Sequence, residues 1–109
     1  MQPDALPVAC VPHALTRAER DRSRDLRREL AAATVETRRL DGGYSYRYRA
    51  DPEVFRKVAE WVTLERRCCP FLTFVFRWPP GASPPWLDIT GPAGTREFLR
   101  AEMPELPAE

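Results

Sequence analysis

Two adjacent thiols, Cys68 and Cys69, stand in the run Glu65-Arg66-Arg67-Cys68-Cys69-Pro70-Phe71, where a proline must end a helix. Neighbours on a helix point about 100° apart, so both thiols cannot face a core equally well. Cys69 leaves the helix ahead of Pro70, which lets its sulfur swing toward that of Cys68. Glu65 lies three and four residues before the pair, so its carboxylate shares their helix face. There it is either paired with an arginine (Arg66, Arg67 or one on a strand) or a protonatable neighbour that takes up protons displaced by metal binding. Cys10 is the third thiol, in the Pro-stiffened stretch VACVP. Folded over the helix end, it would complete a three-sulfur site suited to Hg(II) or As(III).

Other chemistry fits less well. A helix C-terminus disfavours a thiolate, so a protease- or phosphatase-type nucleophile is not expected. A soft ion needs no such help, because it deprotonates its own thiol ligands. His13 forms a C-x-x-H with Cys10 and brings the set to a zinc composition. There is no second C-x-x-C, and His13 reads better as an exposed loop residue. Against all of this stands the plain alternative that cysteine is often a small buried hydrophobe.

The elements that must position these groups are legible around them. Residues 1–13 are Pro-rich and read as an extended arm. Thr16 and Glu19 form a T-x-x-E capping box, opening a helix that runs to about Ala33. Leu26, Leu30 and Ala33 form its apolar face; the charged first half, residues 17–25, reads as solvated. Strands over 34–40 and 44–50 flank the turn Asp41-Gly42-Gly43. Tyr44, Tyr46 and Tyr48 alternate with Ser45, Arg47 and Arg49, the pattern of a half-buried antiparallel strand. Asp51-Pro52 opens the second helix, which ends near Cys68. Strands follow over 71–78 and 86–90, then a helix over 92–103 anchored by Phe98 and Leu99. Residues 104–109 read as a loose tail. The expectation is one α+β domain over 14–103: a two-layer sandwich in the order α-ββ-α-ββ-α, with a four-stranded, mainly antiparallel sheet and helices on one face. The repeated hairpin-then-helix pattern admits a ββα duplication.

Composition narrows the classes. The 109 residues are 43% hydrophobic and 30% charged with a net charge of +1, ordinary for a soluble domain and unlike a bulk nucleic-acid binder. Arg47, Arg49 and Arg77 share the outer sheet face with Ser45, Thr73, Val75, Asp88 and Thr90. The aromatics point to the other side, so RNA stacking is not expected and a solvated or homodimer-forming face is. No apolar run reaches the roughly 18 residues of a membrane span. The first ten residues lack a signal-peptide pattern. The expected location is the cytoplasm, where an odd number of cysteines suggests free, reactive or metal-binding thiols.

The stretches LPVAC (6–10), TRAER (16–20), DGGY (41–44), ERRCCPF (65–71) and GPAGTREFL (91–99) span most of the chain. On them it resembles a group of small, uncharacterised bacterial proteins with an L-P-x-A-C arm and an E-R-x-C-C-P-F helix end. The CCPF element resembles one associated with proteins near mercury- and arsenic-responsive regulators. The resemblance implies that Cys10, Glu65, Cys68 and Cys69 form the signature and that His13 stands outside it.

Three functions are therefore open. The first is a module that binds or senses a thiophilic metal or metalloid ion through Cys10, Cys68 and Cys69. The second is a thiol-dependent enzyme, redox or organometal-cleaving, with Glu65 as catalytic proton donor. The third is a protein-interaction domain with structural cysteines.

Overall fold

A computed structural model describes residues 6–107. Residues 1–5 of the expected arm and 108–109 of the expected tail lie outside the described residues. The elements are α1 (Arg17–Ala33), β1 (Thr34–Leu40), β2 (Gly43–Tyr48), α2 (Pro52–Cys68), β3 (Thr73–Arg77), β4 (Trp86–Thr90) and α3 (Thr95–Glu102). This is the α-ββ-α-ββ-α order. The four strands form one antiparallel sheet in the order β1-β2-β4-β3. The two hairpins thus meet through their second strands, a placement that a ββα duplication would also give.

Local chemistry sets the helix boundaries. The Thr16 hydroxyl accepts from Glu19 N–H at 3.1 Å, while the Glu19 carboxylate accepts from Thr16 N–H at 2.9 Å. Asp51 caps α2 by accepting from Glu53 N–H, and Pro52 occupies its first position. Helix α2 stops at Cys68, and Cys69 N–H makes the closing bond to the Glu65 carbonyl at 2.6 Å.

Three ends fall two or three residues short of what the sequence suggests, for local reasons. Helix α3 begins at Thr95 because Gly94 takes a left-handed conformation, φ 95°. Strand β3 begins at Thr73 because Leu72 N–H bonds back to the Cys69 carbonyl, which makes 70–72 a turn. Strand β2 ends at Tyr48, and Arg49 N–H goes instead to the Ala33 carbonyl at the end of α1.

The core lies between the helices and one sheet face. Tyr44, Tyr46 and Tyr48 of β2 and Leu87 and Ile89 of β4 are buried there against Leu26 and Leu30 of α1 and Val54, Val58 and Trp61 of α2. Each fully buried aliphatic side chain contributes roughly 1.5–3 kcal/mol. Gly43 is required by close approach, because a Cβ there would overlap the Ile89 carbonyl of the paired strand.

On the outer face Trp86 lies beneath three guanidiniums, those of Arg38 at 4.5 Å, Arg77 at 5.6 Å and Arg47 at 5.9 Å. These arginines also pair with Glu36 and Asp88. Their charge is therefore largely satisfied within the face. Among the described residues no helix is long and apolar enough to cross a membrane.

Candidate metal centre

The last turn of α2, the arm and α1 meet at one place. Val11 N–H donates to the Cys68 carbonyl at 2.8 Å. That carbonyl is one of the acceptors a helix end leaves open, so the arm itself caps α2. Arg67 secures the same junction, donating to the Ala14 carbonyl at 3.0 Å and to Glu19 at 2.7 Å. The hydrogen bonds from Arg67 and Thr16 hold the Glu19 carboxyl down at about 2. His13 sits in this loop with φ 63°, exposed.

The clasp brings the three thiols together. The sulfurs of Cys10, Cys68 and Cys69 all lie within 4.8 Å of one another, and none is bridged. Cys10 Sγ and Cys69 Sγ are 4.0 Å apart. Exposure grades across the trio: Cys10 is exposed, Cys68 half-buried and Cys69 buried. The site is therefore reached from the arm side and closed on the core side. Among the described residues the sulfur cluster does not include His13.

Glu65 is buried beside the cluster at 3% exposure. Its Oε2 accepts from the Cys69 thiol at 3.6 Å. Its Oε1 accepts from the Ser23 hydroxyl and, at 3.1 Å, from Arg27. The arginine beside Glu65 is thus Arg27 of α1, and neither Arg66, Arg67 nor a strand arginine. Arg66 and Arg67, one and two residues on, project from other faces of α2, and α1 packs on the face that Glu65 occupies. Arg27 in turn donates to Glu105 at 2.6 Å. Residues 104–107, expected to be loose, are tied down by this bond and by Leu106 packing on the core.

These surroundings fix the electrostatics. Burial first, then the Cys10 thiol and the Glu65 carboxylate, push Cys68 up to about 11. Burial first, then the charge of Glu65, also push Cys69 up. Both thiols are therefore protonated at neutral pH without an ion. An ion that binds must displace their protons, and Oε2 of Glu65 is the acceptor already in contact with one of them.

The three thiols and Glu65 are legible in the sequence, but the groups that hold the glutamate are not. Ser23 lies in the charged half of α1, yet it is buried. Its signal was spacing: Ser23, Leu26, Leu30 and Ala33 form one helical stripe, and Arg27 lies four residues after Ser23. Glu105 carries no comparable signal.

The thiols open onto a cleft of about 160 Å³, whose walls also include Arg20, Arg24 and Glu102. No family model, curated protein or solved structure matches the chain.

Proposed function

We propose that the protein binds or senses a soft, thiophilic ion of the As(III) or Hg(II) kind through Cys10, Cys68 and Cys69. The observation that carries this reading is the convergence of three unbridged sulfurs within 4.8 Å. Three thiolates suit a soft ion, whereas a structural zinc site takes four protein ligands. The exposed Cys10 gives an incoming ion a first point of attachment, and the buried Cys69 a last one.

Titration with As(III) and Hg(II) under competing glutathione tests the proposal. It expects one ion per chain, with all three thiols protected from alkylation. Absence of tight stoichiometric binding of either ion would overturn it.

The contact between Cys69 Sγ and Glu65 Oε2 favours a second reading, cleavage of a carbon–metal bond. As Cys69 takes the metal of an organomercurial, its proton passes to Glu65. The mercurial's other ligand, X⁻, leaves with the proton of a second thiol of the trio, which then also binds mercury. The carbon–mercury bond breaks, the proton moves from Glu65 to carbon, and mercury stays on the two thiolates. Release of hydrocarbon from an organomercurial, abolished in Glu65→Gln, is the expected result. Undiminished turnover in that variant would remove the role given to Glu65.

A further inference from the structure

The proposed ion site is not lined by sulfur alone. Arg20 and Arg24 are exposed on α1 and line the same cleft as Cys10, Cys68 and Cys69. Arg27, the third arginine there, is committed to Glu65 and Glu105. Arg20 is different: its hydrogen bond goes to a neutral acceptor, the Leu15 carbonyl, at 2.9 Å. Arg24 has Asp21 at 3.9 Å, both of them exposed, a pairing of small value in water. Two guanidiniums with donor capacity thus stand at the mouth of a thiol site. Glu102 supplies one carboxylate on the same wall.

Neither As(III) nor Hg(II) itself attracts a guanidinium. A carboxylate attached to the ion's carrier does, and guanidinium is the side chain best matched to it. We propose, resting on the reading above, that the ion reaches this site as a complex with a carboxylate-bearing low-molecular-weight thiol. Arg20 and Arg24 hold the carrier's carboxylates while the ion passes to the cysteines. Glu102 is placed to receive an ammonium group where the carrier is an amino acid or peptide.

The transfer balances without oxidant or reductant. With As(III) bound to three carrier thiolates, three arsenic–sulfur bonds to the carrier break and three to Cys10, Cys68 and Cys69 form. The three cysteine protons end on the three departing carrier thiolates. The exposed Cys10 is placed to make the first exchange and the buried Cys69 to complete it.

The experiment compares two donors, As(III) complexed by glutathione and As(III) complexed by uncharged 2-mercaptoethanol. Transfer is followed by timed maleimide quenching and a count of free cysteines by intact mass. In the Arg20→Gln/Arg24→Gln variant, transfer from the glutathione complex is expected to slow about tenfold at low salt, and transfer from the mercaptoethanol complex to be unchanged. Added salt should slow the wild type only with the glutathione donor. Arg24→Gln alone, which leaves the Leu15 contact intact, should show the same selectivity with a smaller effect. Equal slowing with both donors, or none with either, would overturn the carrier inference and leave ion binding standing. Failure of the wild type to take As(III) from either donor would overturn the binding proposal and this inference with it.

Discussion

The sulfurs of Cys10 and Cys69 lie 4.0 Å apart across 59 residues of sequence. Cys69 in turn touches Oε2 of Glu65 at 3.6 Å. A chain of contacts therefore runs from an exposed thiol on a surface arm to a buried carboxylate held by Ser23 and Arg27. The arm forms it by capping α2, and Cys69 forms it by leaving the helix ahead of Pro70. The same proline that ends the helix points the second thiol at the first.

Loss of the arm thiol should separate binding from folding. Cys10 is exposed, so Cys10→Ser should change stability by no more than about 0.5 kcal/mol. It removes one of the three proposed ligands, and affinity for As(III) should fall by more than the roughly 10–100-fold that even an outer-shell partner is worth. Thermal melts and competition titrations on the same preparation check both. Unchanged affinity would mean that Cys10 is a neighbour of the site and not part of it.

The arm's attachment should matter independently of its thiol. Val11→Pro removes the N–H that donates to the Cys68 carbonyl and retains all three cysteines. The lost bond costs about 1 kcal/mol of arm closure, so As(III) affinity should fall about fivefold. Alkylation of Cys68 should become faster. Equal affinity and equal labelling rates in the two proteins would contradict the clasp.

The raised thiol of Cys68 gives the ion-free protein a pH dependence of known sign. Its value moves from an ordinary 9.0 to about 11. Between these values the unfolded chain has released the proton and the folded chain keeps it. This contribution to stability is fully present below about 9 and is lost as pH rises through about 11. The Tm of the wild type should fall more over that window than the Tm of Cys68→Ser. Parallel curves for the two proteins would contradict the assignment.

Glu65→Gln keeps the shape of the buried network but removes its charge. Arg27 retains Glu105, 2.6 Å away, so the cost should stay near 1–3 kcal/mol, the range for one disturbed buried polar group. The stoichiometry of As(III) binding should be unchanged, because Glu65 is not among the proposed ligands. Loss of binding in a variant that still melts cooperatively would make the carboxylate part of the ion site itself.

Much of the fold was legible because its signals are local. The Thr16–Glu19 box, the Asp51-Pro52 start, the Pro70 stop and the alternating tyrosines of β2 each act within a few residues, and each marks a real boundary or face. The sulfur pair and Glu65 were legible for the same reason, since they share one helix turn. The partner of Glu65 was not. Which arginine reaches a buried carboxylate depends on which helix packs against it, and Arg27 is 38 residues away along the chain. Ser23 was obscured by its charged neighbours, although its spacing to Leu26 and Leu30 places it on the buried stripe. The hold of Glu105 on Arg27 depends on how the chain turns after α3, which proline-rich sequence leaves open.

Three cysteines from two distant segments are proposed to bind one soft ion together. X-ray absorption at the arsenic edge, on protein loaded with As(III) and freed of small thiols, reads the ligand set directly. Three sulfur neighbours and no oxygen are expected in the wild type, and two sulfurs with one oxygen in Cys10→Ser. Two sulfurs and an oxygen already in the wild type, unchanged by removal of Cys10, would contradict the proposal.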